Sequence, residues 1–200
     1  MQIVLVHGLG VSHRYIARLR LDALRPDLAG STIDELTRSL EARLAAPSTL
    51  VANSVGCQVA VELSLRRPEL VRSLLLIGPT WDPWAPTIPR QLLRLLNGSY
   101  REPPSLLPVL AWEYTRWGPR RMLRTARSML AHPMAARLEH VRVPAIVLRG
   151  ERDPVCGDRW ARVAADAAKA ELVEVPGAAH AVHWSHPDLV EELAHDLAER

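Results

Sequence analysis

The sequence predicts an α/β protein, in which a mostly parallel sheet of about six strands carries flanking helices and a helical insertion that would form a cap. Two observations predict this fold class. Short apolar runs alternate with segments whose apolar residues recur at helical spacing, which is typical of a parallel sheet covered by helices. The alternation is interrupted once, between Pro79 and Pro119, where eight of the sixteen prolines lie.

The first part of the chain contains four predicted strands and three predicted helices. Leu36, Leu40 and Leu44 recur every four residues, which predicts a helix with one apolar stripe over residues 31–46. Pro26 and Gly30 end a strand predicted at the start of residues 21–30. The other elements of this part are predicted as strands at 3–8, 48–53 and 71–78, a short helix around 12–19, and a helix after Ser54 that ends before Pro68.

The segment 79–142 is predicted to be a helical subdomain. Its prolines exclude a long strand, because proline cannot donate to the hydrogen-bond ladder of a sheet, yet three stretches within it have helical apolar spacing. We therefore predict a core of residues 1–78 and 143–200, with 79–142 inserted as the cap. The alternating pattern resumes with a strand at 144–150, a helix near 158–169, a strand at 170–175 and a last helix from about 187.

Composition excludes several classes of function. The net charge of +3 is too weak to argue for nucleic acid, and no apolar run approaches the roughly 18 residues that span a membrane. The start of the chain has no secretory signal pattern, which predicts a cytoplasmic protein. Cys57 and Cys156 form no C-x-x-C pair, so we expect neither a metal nor a redox cofactor. Cys57 is expected to be a small buried residue, and Cys156 a bystander near the candidate acid.

Ser54 is the candidate nucleophile, in the stretch LVANSVGCQVA over residues 50–60. Its position between a predicted strand and a predicted helix is that of a helix N-cap or of a nucleophile on a sharp turn. A nucleophilic serine needs a base, a group that orients the base and donors for the developing oxyanion. These groups should follow other strands, because the carboxyl ends of parallel strands meet at one edge of the sheet.

An acid and a histidine follow later strands. Asp153 lies three residues after Gly150, and Asp82 after the preceding strand is the alternative acid. The loop after the strand at 170–175 contains three histidines, of which His180 is closest to the strand end and His183 is the second candidate. Donors for an oxyanion are expected from the HGLG segment at residues 7–10 and from the amide of Val55 at the start of a helix.

Together these segments resemble the α/β-hydrolase family, and the resemblance spans almost the whole chain. The segment Ala52–Gly56 resembles its nucleophile elbow, with alanine in place of the first glycine, and the order serine, acid, histidine is that of the family. HGLG resembles its oxyanion loop, which implies a donor at Leu9. The segments PDLAG, GERDPV and PGAAH resemble its D-x-x-G turn, its acid turn and its histidine loop, and the insertion lies where the family has its cap. The chain starts at what would be the third strand of the family, and its edge strand is expected to need a partner or a charged surface.

The resemblance implies a serine hydrolase that cleaves a carboxylic ester, lactone or thioester through an acyl-enzyme on Ser54. The partner would be a small or carrier-bound acyl substrate. The cap carries a net charge of +6, which indicates either a solvated face or attraction of an anionic substrate. Its tryptophans would form either a small core or the wall of the substrate site. These tryptophans are Trp81, Trp84, Trp112 and Trp117.

Two alternatives to ester hydrolysis remain open at the level of sequence. Asn53 before the serine and Trp184 four residues after His180 also resemble the carbon–carbon bond hydrolases of the family. A binding or non-hydrolytic member of the fold could keep the same three residues without turnover. Hydrolysis of short p-nitrophenyl esters distinguishes an open-pocket esterase from a binder.

Overall fold

The structure, a computed structural model, describes residues 2–80 and 82–200. In these residues six parallel strands form one sheet in the order β2-β1-β3-β4-β5-β6. The predicted fold class is thereby confirmed. The strands are β1 (Gln2–Val6), β2 (Ala23–Leu24), β3 (Ser48–Asn53), β4 (Val71–Ile77), β5 (Ala145–Gly150) and β6 (Glu171–Val175).

The strands β3 and β4 occupy the centre of the sheet and carry side chains into two cores. Every residue of β3 is buried, because helices cover both faces of a parallel sheet. Alternate strand residues point to opposite faces, so Val4 and Val6 of β1 lie in one hydrophobic cluster while Ile3 and Leu5 lie in the other. The strands that lead to the carboxyl edge of the sheet are therefore packed between two hydrophobic clusters.

Helices cover both faces of the sheet. One cluster contains side chains of α1 (Ile33–Glu41), α2 (Val55–Arg66) and α7 (Asp158–Ala168), and the other contains side chains of α8 (Val182–Ser185) and α9 (Pro187–Glu199). Each described helix is too short or too polar to cross a membrane.

The elements near the β2 edge are shorter than predicted. The segment around 12–19 forms a 3-10 turn at His13–Ile16 and not an α-helix. The helix predicted over 31–46 corresponds to the shorter α1. It begins after Thr32, which is extended and caps the helix by accepting a hydrogen bond from the Glu35 amide at 3.2 Å. The edge strand β2 has only two residues, since Pro26 cannot continue the ladder.

The segment between β4 and β5 is helical in its described part, as predicted. It contains α3 (Ile88–Ser99), α4 (Leu107–Trp117), α5 (Pro119–Ala131) and α6 (Met134–Leu138). Met134 and Leu138 of α6 are fully buried in the cluster that includes α2 and α7. The last helix of the insertion therefore packs with the core of the sheet, while α3, α4 and α5 lie over the carboxyl edge of the strands. The boundaries 79–142 stay a prediction.

Candidate active site

Ser54 lies on a sharp turn between β3 and α2. Its φ of 55° and ψ of −123° are rare for a residue with a side chain, and such strain is typical of functional positions. Its side chain makes no capping hydrogen bond to α2, which argues against a role as a simple N-cap. The turn needs glycine at position 56, because a Cβ there would lie 2.5 Å from the Val6 carbonyl oxygen and 2.7 Å from that of His7.

His180 and Asp153 form a hydrogen-bonded pair at the same edge of the sheet. The Nδ1 atom of His180 lies 2.7 Å from Oδ2 of Asp153. The other oxygen of Asp153 accepts hydrogen bonds from the amides of Val155 at 2.8 Å and Cys156 at 3.0 Å. Both carboxylate oxygens are thus engaged, which holds the carboxylate in a single orientation toward the imidazole.

The pair shifts the titration of both residues. Burial by itself lowers the pKa of His180, but the charge and hydrogen bond of Asp153 outweigh it and leave the pKa above its ordinary value. Burial raises the pKa of Asp153, yet the contacts with His180 and the two amides bring it below its ordinary value. Asp153 therefore stays ionised at neutral pH and can stabilise a positive charge on His180.

Two glycines at strand ends, Gly78 and Gly150, make room for this pair. Gly78, which follows β4 with a φ of +55°, lies against His180: a Cβ there would be 2.8 Å from the ring atoms Cε1 and Nδ1 and 3.2 Å from Oδ2 of Asp153. At Gly150 a Cβ would lie 2.2 Å from the carbonyl oxygen of Ala179. The glycines that end the predicted strands 71–78 and 144–150 were the available signal, because strand ends converge at this edge.

The HGLG loop lies directly against Ser54. A Cβ at Gly8 would be 3.2 Å from the Cβ of Ser54, so glycine permits this close approach. Leu9 and Val55 line the same cavity as Ser54 and His180. The amide of Val55 lies in the first turn of α2, a helix of twelve residues whose dipole favours negative charge at that end.

A cavity of about 460 Å³ joins these residues to the insertion. Its floor carries Ser54, Asn53 and His180, and its described lining includes no arginine, lysine or carboxylate. A volume of this size fits a small ligand. The residues from the insertion are mostly aliphatic, and the aliphatic ones, with two methionines, are Ile88, Leu92, Leu95, Leu96, Leu110, Met122, Leu123, Ala126, Met129 and Leu130. Thr80, Gln91, Ser99, Tyr114 and Pro119 complete this part of the described lining.

The tryptophans expected at the substrate site lie elsewhere. Trp84 is 41% exposed and stacks under Arg159, Trp112 is 56% exposed, and Trp117 stacks under Arg121. None of these three lines the cavity, and Trp81 lies outside the described residues. Leucine and methionine of α3 and α5 line the cavity in place of the expected indoles, while Trp84 and Trp117 pack on arginines.

The alternative acid and histidine have other contacts. Asp82 accepts a hydrogen bond from the Trp84 amide at 2.8 Å and pairs with Arg94. His183 is fully buried edge-on against Tyr15, with ring centroids 4.5 Å apart. Burial lowers the pKa of His183 to about 3, so its ring is neutral at physiological pH. Asp153, and not Asp82, is the acid bonded to His180.

The two cysteines are buried and their burial raises the pKa of both thiols. Cys57 points its sulfur at the carbonyl oxygen of Ala52, at 3.3 Å. Cys156 contributes its backbone amide to Asp153, while its thiol stays protonated at neutral pH. Neither thiol lines the cavity.

Several arginines of the insertion are engaged in contacts within the molecule. Arg94 pairs with Asp82, Arg124 with Glu35, and Arg137 with Glu62. Arg121 donates to the carbonyl oxygen of Gly30 at 2.9 Å. The pair of Arg94 and Asp82 lies within the insertion, whereas the contacts of Arg121, Arg124 and Arg137 tie the insertion to the core.

An elbow serine, an Asp–His pair and a mostly apolar cavity lie together at the carboxyl edge of the parallel sheet. The sequence profile of the alpha/beta hydrolase family matches residues 3–193. The chain therefore belongs to the α/β-hydrolase family, as the resemblance of its motifs predicted. Comparison with curated protein sequences gives no significant match.

Solved structures with the same fold cover nearly the whole chain. A hydrolase from Oleispira antarctica has a TM-score of 0.84 at 14% identity, with 100% of this chain and 91% of that chain covered. An enol-lactonase from Burkholderia xenovorans has a TM-score of 0.80 at 20% identity, with 100% and 91% covered. A thermophilic esterase from Thermogutta terrifontis has a TM-score of 0.78 at 16% identity, with 100% and 89% covered. At these identities the likeness shows the fold.

Proposed function

We propose that the protein is a serine hydrolase that cleaves a carboxylic ester, lactone or thioester through an acyl-enzyme on Ser54. One observation carries the proposal: a serine with a strained backbone lines the same cavity as a histidine that is hydrogen-bonded to a buried carboxylate at 2.7 Å. This combination of nucleophile, base and orienting acid is what acyl transfer requires.

The reaction starts with attack of Ser54 Oγ on the substrate carbonyl carbon, while His180 Nε2 takes the serine proton. Asp153 holds the Nδ1–H of His180 and stabilises the imidazolium that forms. The amides of Leu9 and Val55 donate to the oxyanion; loss of one such donor costs about 3–4 kcal/mol. His180 then protonates the leaving group, and a water molecule activated by His180 hydrolyses the acyl-enzyme and frees Ser54.

The cavity supports an apolar and uncharged acyl group. Its described lining consists mostly of aliphatic side chains, and burial of a charged group among them would be costly. The net positive charge of the insertion is partly neutralised by Glu35 and Glu62 of the core. An anionic substrate or an acidic carrier protein would then meet the remaining arginines at the surface, with the acyl chain inside.

The Ser54→Ala variant tests the proposal directly. We expect it to fold, to lose labelling by a fluorophosphonate probe, and to hydrolyse p-nitrophenyl hexanoate at least about 10⁴-fold more slowly. Ser64→Ala is the matched control, because Ser64 lies on the same helix and bonds the Val61 carbonyl oxygen at 2.8 Å, away from the cavity. Undiminished labelling of Ser54→Ala would overturn the assignment. Labelling of the unaltered protein without turnover of esters of any chain length would favour a non-hydrolytic member of the fold.

Asn53 favours a second candidate, a carbon–carbon bond hydrolase. Its Oδ1 atom is buried beside Ser54 without a hydrogen-bond partner among the described residues, whereas its Nδ2 donates to the Ile77 carbonyl oxygen at 3.2 Å. A free acceptor at this place would suit a substrate hydroxyl or enol. Trp184 gives no such support, because it lies under Arg18 and outside the cavity lining. Parallel assays of a β-diketone and a p-nitrophenyl ester with the same acyl chain decide between the two chemistries.

A further inference from the structure

The connection between α3 and α4 lies against both loops of the candidate catalytic pair. Arg101 donates from Nη1 to the carbonyl oxygen of Arg152, next to the acid, at 3.0 Å. Glu102 accepts at Oε1 from the amide of Ala181, next to the histidine, at 3.0 Å. Two successive residues of the cap are thus bonded to the neighbours of Asp153 and His180.

Further contacts fix the same connection in place. Ser105 accepts a hydrogen bond from the Trp184 indole at 3.1 Å. Near the end of α3, Gly98 lies so close to Pro154 that a Cβ there would be 3.3 Å from its Cγ atom. The connection therefore approaches the acid loop and the histidine loop closely on both sides of Glu102.

The second oxygen of Glu102 is not used in these contacts. Its Oε2 atom is buried and has no hydrogen-bond partner among the described residues. Burial is the largest influence and leaves the pKa of Glu102 above its ordinary value, although the positive charge of His180 and the neighbouring amides act to lower it. The titratable and charged groups around it, from the 3-10 turn, α4, α8 and the two loops, are Tyr15, Arg18, Arg101, Tyr114, Arg152, Asp153, His180 and His183.

We propose that Glu102 is a positioning residue of the cap that holds the histidine loop and supplies a second negative charge to the imidazolium of His180. The proposal rests on the proposed function, in which His180 is the general base. Glu102 acts through the backbone amide of Ala181 and through space, while Asp153 makes the direct contact with the ring. The cap then contributes to the chemistry as well as to the choice of substrate.

The Glu102→Gln variant tests this role, since glutamine keeps an acceptor for the Ala181 amide and removes the charge. Glu102 adds to the interactions that raise the pKa of His180. Without its charge the base stays neutral to lower pH, so the acid limb of kcat/KM against pH should move to lower pH. On the pH plateau we expect kcat to fall about 3- to 10-fold, with KM little changed.

Glu151→Gln is the matched control. Glu151 also accepts from a backbone amide of the histidine loop, that of Gly177 at 2.7 Å, but this contact is at the exposed end of the loop. We expect the wild-type acid limb and kcat in this variant. A uniform loss of activity in Glu102→Gln without a shift of the acid limb, or no change at all, overturns the proposal.

Two measurements keep the outcomes distinguishable. Labelling of Ser54 and ester turnover are first established for the unaltered protein; if both are absent, the proposed function has failed before Glu102 is tested. If Glu102→Gln does not fold, Glu102→Asp takes its place, because aspartate keeps the charge and shortens the reach to Ala181. For Glu102→Asp, an unchanged acid limb with a lower kcat supports the proposal. An acid limb that moves to lower pH in this variant, although the charge is kept, overturns it.

Discussion

The helices α2 and α3 both have twelve residues, but they differ in how much of each helix is buried. In α2, which follows Ser54, ten residues are buried, whereas α3 of the cap buries only Gln91 and Gly98. Leu92, Leu93 and Leu96 of α3 are 56%, 67% and 52% exposed. Ser54, the candidate nucleophile, thus precedes a largely buried helix, whereas one wall of the cavity comes from a largely exposed helix.

This difference separates two tasks within one site. Catalysis needs atoms held to within fractions of an ångström, so strained Ser54 is carried between a central strand and a buried helix. Selection of substrates by shape tolerates a less tightly packed helix such as α3, because segments with few buried contacts open at low free energy. We therefore expect substitutions in the core to change rate and those in the cap to change substrate preference.

A comparison of two glycines gives the largest expected effect. Gly78 in the core and Gly118 in the cap both have positive φ, at 55° and 76°, so alanine strains the backbone at either place. Only at Gly78 does the new Cβ collide, with His180 at 2.8 Å, while nothing lies within 4 Å of it at Gly118. We expect kcat to fall about 100-fold in Gly78→Ala and to change little in Gly118→Ala, as measured with a p-nitrophenyl ester. Equal losses in both variants would contradict the assigned separation of tasks.

The contact between α2 and the end of the insertion predicts a pH-dependent stability. Glu62 is bonded to His132 at 2.9 Å and to Arg137 at 2.6 Å. Burial alone raises the pKa of Glu62, but the hydrogen bonds and charges of these two partners outweigh it and lower the pKa to about 2. Because the folded-state pKa is depressed, the stabilisation is complete above the ordinary value of 4.5 and is lost as the pH falls toward 2.

The Glu62→Gln variant removes this contribution. We expect the free energy of unfolding at pH 7 to fall by about 2 kcal/mol, and the difference from the unaltered protein to shrink below pH 4.5 in urea titrations. Glu69→Gln is the control, because Glu69 pairs with Arg67 at the surface and should leave the unfolding midpoint unchanged. A difference that stays constant from pH 7 to pH 3 contradicts the proposed linkage.

The smallest effect is expected in the cap. Ala126 of α5 lines the cavity, whereas Ala131 at the end of the same helix is exposed. Phenylalanine at position 126 takes up cavity volume, so the ratio of kcat/KM for p-nitrophenyl octanoate over butyrate should fall about tenfold. The same substitution at Ala131 should leave the ratio unchanged, and a shift of equal size there would argue that the cavity is not the acyl site.

The strands could be predicted from local pattern because a buried strand requires a continuous apolar run. The strand predicted at 48–53 is β3 with the same bounds, and β4 ends one residue before the predicted Gly78. The predicted helix around 12–19 was wrong in type, and the predicted helix over 31–46 was too long. The start of α1 is set by the Thr32 cap, and the helix ends at Glu41, five residues short of the predicted end.

It was harder to predict which side chains of the insertion line the cavity, because the helical pattern does not say what each face of a helix packs against. A tryptophan on such a helix has the same local pattern whether it faces a cavity or an arginine, and the structure places Trp84 under Arg159. No motif contains Glu102, because its proposed role depends on a contact with Ala181, 79 positions away in the chain.

The sequence by itself determined the fold class and the candidate residues Ser54, Asp153 and His180, because strand ends converge at one edge and each of these residues follows a strand. Only the tertiary structure decided that Asp153 rather than Asp82 is bonded to His180, and that leucine and methionine rather than tryptophan line the cavity. The physical reason is that backbone periodicity is local, whereas the partner of a side chain depends on how distant segments pack.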